Sequence, residues 1–396
     1  MHIRQLTAYV VRLPWKRAFS HASATRHESE NVLVRCELAD GTAGWGEGVP
    51  RSYVTGETPA GCLAQLALTR LPDQLSVDCN SWPDVIRLCE DFAPTVDRED
   101  PRGCYGNALR CAVELSILDA FGRLFDEPLS VVTRHFEPAR PIHSEQSVVQ
   151  YSAVIDSGND GLARKALARR LYGFRHCKVK VGAAGDDDAA RLRIIRRWIG
   201  RHVDLRLDVN EAWHAGELRE KIVPLQTFGI SCIEQPVPHA EVAALAEIRE
   251  QLGVPLMLDE SLTSMIDAEA AIAGGTCDLF NIRLSKCGGF LASLRLAARA
   301  HSAGLGYQLG CHPGETGVLS AAGRHWASSV AGIRYLEGSY DRYLFHELLT
   351  DEDLTFGYAG RARAINRPGL GVTINEGMLQ KATVSRQVFP ILDARI

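Results

Sequence analysis

Five short apolar runs through the middle of this 396-residue chain each end in ionisable residues, and they are almost evenly spaced. They read HCKVKVG with Lys178 and Lys180, LRLDVN with Asp208, CIEQP with Glu234, LMLDES with Asp259 and Glu260, and FNIRLSKCGG with Lys286. From Lys180 to Asp208 is 28 residues, and the next steps, to Glu234, Asp259 and Lys286, are 26, 25 and 27. One βα unit of an eight-fold barrel takes about 30 residues, so the period matches. Acids and lysines at the C-terminal ends of successive barrel strands converge on one mouth, where such barrels keep their chemistry.

The whole pattern of strand candidates extends this reading. From about residue 143, strand and helix signals alternate. The strand candidates are 151–155, 177–181, 205–209, 232–236, 256–260, 280–284, 306–310 and 334–338, and eight is the number that closes a barrel. Helical stretches such as DAARLRIIRRWIG and HAEVAALAEIREQLG fall between them. Residues 3–50 read instead as a three-stranded meander. IRQLTAYVVRL alternates, and Asp40-Gly41 supplies a turn between NVLVRCELADG and TAGWGEGV. Residues 58–135 read as helical, most clearly in GNALRCAVELSILDAFGRLF. The expected division is an α+β cap at 1–140, a barrel at 141–345, and a segment at 346–396 that folds back on the cap.

Composition narrows the function classes. A hydrophobic share of 46% with 23% charged residues is that of an ordinary globular protein. A net charge of −4 leaves no basic footprint for nucleic acid. No apolar stretch approaches the roughly 18 residues that span a bilayer, and the first residues lack a signal-peptide pattern. Eleven cysteines without a CxxC pair read as reduced, buried thiols of a cytoplasmic enzyme.

The strand-end residues carry the chemistry. Asp208, Glu234 and Asp259 on three consecutive strands offer three hard oxygens to a cation such as Mg²⁺, with Mn²⁺ as a substitute. The lack of His or Cys at these positions argues against zinc. In KVK, period two places Lys178 and Lys180 on one strand face, and two like charges beside a metal should lower a lysine pKa towards a useful base. Lys286 ends the sixth strand, nearly opposite the second, so substrate between them meets an acid/base on each side. Asn210, Gln235 and Glu260 sit beside the acids as supporting groups. Glu315, in HPGETG, either bonds Lys286 or lines the pocket, or else serves as an acid at a helix start.

These motifs resemble the enolase superfamily, and within it the muconate-lactonizing-enzyme subgroup. The resemblance covers nearly the whole chain. It implies an α/β fold: a modified TIM (β/α)7β-type barrel with an α+β capping domain built from the N-terminal region and the C-terminal tail. It makes Asp208, Glu234 and Asp259 the Mg²⁺ ligands and Lys180 an acid/base tuned by Lys178. Lys286 becomes the acid/base or electrostatic group on the other face. The shared step is removal of a proton α to a carboxylate, with the metal stabilising an enediolate. Residues 17–30 (RAFSHASATRHESE, with Arg26) and 49–58 (with Tyr53) are placed to act as mobile covers over a small carboxylate substrate.

A muconate-type cycloisomerase is the leading expectation. The alternatives are a racemase or epimerase of N-acyl amino acids or dipeptides, and a dehydratase of the o-succinylbenzoate synthase type. A mandelate-racemase Asp–His dyad is missing, because His312 lacks its Asp. Glu337-Gly338-Ser339 replaces the Asp-x-Asp pair that dipeptide epimerases carry on the eighth strand, which argues against an unmodified dipeptide. The family also implies a homo-oligomer, often an octamer. Outside the family, a Schiff-base aldolase using one lysine or a non-catalytic binding protein are the competing classes.

Overall fold

The computed structural model describes residues 1–21 and 24–392, with the backbone alone at 17–21 and 24–26. Three N-terminal strands, Ile3–His21, Ala24–Leu38 and Ala43–Gly48, form an antiparallel meander. The C-terminal strand Thr383–Pro390 pairs antiparallel with the first of them, so the sheet has four strands.

One helix, Asn107–Leu124, lies directly on this sheet, and the sequence GWGEG explains how. Gly44, Gly46 and Gly48 share one strand face at period two. A Cβ at these positions would fall 2.1 Å from the Ala120 nitrogen, 2.0 Å from the Ala112 oxygen and 2.0 Å from the Ala108 oxygen. Three bare positions therefore let the helix backbone touch the strand, and the helix is buried on nearly all sides. All three clashing partners are backbone, so none can swing away. Gly46→Ala should cost about 3 kcal/mol of stability, at the upper end of overpacking, read as a lower urea midpoint.

Eight parallel strands form the second sheet: Ala153–Ile155, His176–Lys180, Asp204–Asp208, Ile230–Glu234, Leu256–Leu258, Leu279–Ile282, Gly306–Leu309 and Ile333–Leu336. They neighbour one another in chain order. The Ser152 amide donates to the Leu336 carbonyl at 2.7 Å, joining the first strand to the eighth. Most of their residues are buried, which fits strands covered on both faces. The helix Phe290–Ser302 after the sixth strand is tied to the cap helix, because Glu114 accepts from the amides of Phe290 and Leu291 at its N-terminus. Asn107 donates to the carbonyls of Thr263 and Lys286 at 2.8 and 2.7 Å, pinning two barrel-mouth loops to the cap. Among the described residues, all eleven cysteines are free thiols, and no helix is long and apolar enough to cross a membrane.

Candidate active site

Strand register explains why the site forms where it does. Lys180 is the partner of Asp208, and Asp208 of Glu234, so the second, third and fourth strands end in one row. Glu234 faces Met257 on the fifth strand, and Asp259 follows two residues later on the same face. Arg283 comes one residue after the sixth strand. A cavity of about 280 Å³ opens here, and Lys178, Lys180, Asp208, Asn210, Glu260 and Arg283 contribute to its walls.

The lysines, arginines and strand-end acids at this mouth are paired. Lys178 reaches Glu337 at 2.9 Å, Asp208 at 3.2 Å and Glu234 at 3.3 Å. Lys180 donates to Asn210 Oδ1 at 2.5 Å and to Asp208 Oδ2 at 3.3 Å. Arg283 binds Asp259 Oδ2 and lies 3.8 Å from Glu234. Arg206 binds Glu337 from inside the barrel and stacks on the Tyr335 ring. Asn281 donates to Glu234 at 2.8 Å.

Burial and pairing then compete over each proton. Burial pulls the Lys178 ammonium down, but Glu234, Glu337 and Asp208 outweigh it and hold its pKa well above the ordinary lysine value. At Lys178 the three carboxylates thus outweigh both burial and the like charge of Arg206. Burial likewise opposes the charge on Asp208, yet Lys180, Lys178 and Arg283 keep it below the usual carboxylate range. At Glu234 burial prevails and pushes the pKa up, with Lys178 pulling against it.

Asn210 bridges Lys180 and Glu260, donating to Glu260 at 3.0 Å. Gln235 lies outside the cavity wall and accepts from the amides of Asp259 and Ser261, so it fixes the backbone that presents Asp259. Tyr53 contributes to the wall and is 45% exposed. Glu315 accepts from the His312 amide at 2.7 Å, and burial pushes it up to about 8. The expected Glu315–Lys286 bond is not what forms. Lys286 instead donates to the Asp259 carbonyl at 2.6 Å, Asp259 Oδ1 at 2.8 Å and the Asn281 carbonyl at 2.8 Å. An ammonium has three N–H donors, so all are engaged. The Arg26 side chain, like the other side chains of 17–26 in the expected cover at 17–30, lies outside what is described.

Lys286 is only 1% exposed and is absent from the cavity wall, where Arg283 stands instead. The reason is the strand length: the sixth strand stops at Ile282, so Lys286 sits four residues into a returning loop. The missed signal lay in FNIR, where period two places Asn281 and Arg283 together on one face. Glu337 and Arg206 were equally hard to assign, since their contact crosses the closure of the ring.

Three carboxylates without His or Cys suit a hard divalent cation and leave positions for substrate oxygen. Among the described residues, no three acid, His or Cys side chains stand together at coordinating distance. Each of the three is turned onto a cation of the chain, which accounts for that. The donor chemistry fits the cation, and Asp208, Glu234 and Asp259 are the residues that would hold it.

Residues 161–378, more than half of the chain, match the family model described as enolase C-terminal domain-like. The chain belongs to the enolase superfamily. The superfamily relatives include an N-succinyl-L-Arg/Lys racemase of Bacillus cereus, 28% identical over 98% of this chain and 100% of its own. The crystal structure of that racemase superposes with a TM-score of 0.85 at 26% identity, over 98% of this chain and 100% of its own. A hydrophobic dipeptide epimerase of Enterococcus faecalis is 28% identical over 84% of this chain and 89% of its own. The dipeptide epimerase structure from that organism contains Mg and L-Leu-L-Tyr, with a TM-score of 0.80 at 25% identity, over 94% of this chain and 100% of its own. Muconate lactonizing enzyme of Pseudomonas fluorescens shares the fold, with a TM-score of 0.83 over 96% of this chain and 99% of its own, but only 24% identity. The relatives thus favour the racemase and epimerase alternative over the cycloisomerase expectation.

Proposed function

We propose that this enolase-superfamily chain removes the proton α to the carboxylate of an N-acylated amino acid, in the manner of the racemases and epimerases it resembles. Lys180 is the base, and Asp208, Glu234 and Asp259 hold Mg²⁺, with Mn²⁺ as a substitute. The register row Lys180–Asp208–Glu234 carries this reading, since it sets Lys180 and Asp208 in the wall of one cavity with Glu234 buried beside them. When bound, the cation draws electron density from the substrate carboxylate and acidifies the neighbouring C–H.

The chain's own groups do the rest. Asn210 accepts from Lys180 and fixes its Nζ beside Asp208. Lys178 and Arg206 neutralise Glu337, which leaves the eighth strand no unpaired carboxylate for a substrate ammonium. That pairing supports a substrate whose nitrogen is acylated rather than free. The cap, 1–140 with 346–396, covers a barrel of 141–345 in this reading.

The test is α-proton exchange in D₂O, followed by NMR and mass spectrometry. The panel comprises N-succinyl and other N-acyl amino acids, dipeptides and muconates, with Mg²⁺ present. Deuterium should enter the N-acyl amino acids. Stripping the metal with EDTA should lower the rate at least ~100-fold and added Mg²⁺ should restore it, because the cation is worth several kcal/mol to the charge that forms. Exchange that survives EDTA, or exchange confined to muconates, would overturn the assignment.

A further inference from the structure

We propose that Arg283 stands opposite Lys180 as a cation that does not trade protons, so the α-proton leaves and returns on one face of the substrate only. This rests on the enolising reading above and fixes what that reading left open, the stereochemical course.

Four observations carry it. First, the sixth barrel strand lies four places from the second in a ring of eight, which is diametrically across. Second, Arg283 borders the same cavity as Lys180 and is 8% exposed. Its guanidinium is held by Asp259 and approaches His312 Nδ1 at 3.4 Å. Third, Lys286, the lysine of the same segment, has every N–H engaged and does not reach the cavity. Fourth, a guanidinium keeps its proton in proteins, whereas a desolvated lysine gives and takes one. Inversion needs a proton donor on the face opposite the base, and Arg283 cannot be that donor near neutral pH.

The step balances with Lys180 alone. Its neutral amine takes the α-proton, and the C–H electron pair moves into the enediolate. The ammonium so formed exchanges with solvent and returns a proton, or a deuteron, to the carbon it came from. Arg283 contributes fixed positive charge across the cavity, which favours the doubly charged enediolate over the singly charged carboxylate of the substrate.

The experiment uses the Mg²⁺-loaded protein with separate enantiomers of the N-succinyl amino acids in D₂O. NMR reads the exchange, and chiral chromatography reads the inversion. The expected result is deuterium in one enantiomer, with exchange at least ~100-fold faster than inversion, the size of a missing general acid. Arg283→Lys should bring inversion to within about tenfold of exchange, since it supplies the missing transferable proton. A wild type that inverts as fast as it exchanges would overturn this proposal and leave the enolising function standing. Cys311, which also borders the cavity, would then be the donor to test. An Arg283→Lys protein that still exchanges without inverting would also overturn it, because residue 283 would not set the course. No exchange in any N-acyl amino acid would sink the parent reading and this inference together.

Discussion

Lys180→Ala lowers α-proton exchange by about 10³–10⁴-fold, the contribution expected of a positioned general base. The fold should survive the change. Lys180 lies at the cavity wall, and Asp208 keeps a second partner in Lys178 at 3.2 Å, so no buried carboxylate is left alone. Thermal melting of the variant should therefore match the wild type within a few degrees, while Mg²⁺ binding by calorimetry stays within about tenfold. Equal loss of kcat and kcat/KM would mark an interaction made in the transition state. A variant that keeps more than a tenth of the wild-type exchange rate would remove Lys180 from the role of base.

Lys286→Met gives the opposite profile, a large loss of stability with catalysis recoverable by metal. The ammonium is buried, and its removal strips donors from Asp259 Oδ1 and from two buried carbonyls. Breaking a buried ion pair by deleting one partner costs about 3–5 kcal/mol, because the remaining group has lost its compensation. The urea midpoint should fall accordingly. Asp259 also loses a support, so apparent Mg²⁺ affinity should drop about 10–100-fold. Saturating Mg²⁺ should restore most of the exchange rate in the folded protein. A base cannot be replaced that way, so failure of Mg²⁺ to restore exchange would return Lys286 to the catalytic role that its position in the sequence suggested.

Those two lysines show where one-dimensional reading succeeds and where it stops. Lys180 was legible because two local signals agree on it. Period two placed it with Lys178 on one face, and the 28-residue step to Asp208 placed both at neighbouring strand ends. Lys286 fitted the same spacing but sits in a loop, since spacing cannot distinguish a residue at a strand end from one three or four positions later. The difference is set by where the backbone stops pairing, and the sixth strand stops at Ile282. The partners of Lys178 were not legible for a related reason, because the carboxylates that dominate it come from strands three and four and from the end of strand eight.

From its sequence alone, this protein's eight-strand period, the three acids on consecutive strands, the Lys-Val-Lys face and the helical stretch at 107–124 were all readable, because each depends on a repeat within the local chain. Only the tertiary structure decided which cation borders the cavity, what Glu337 neutralises, and what rests on the bare glycine face at 44–48. Each of these is a contact between residues tens to hundreds of positions apart, and its geometry exists only once the ring has closed and the cap helix has docked.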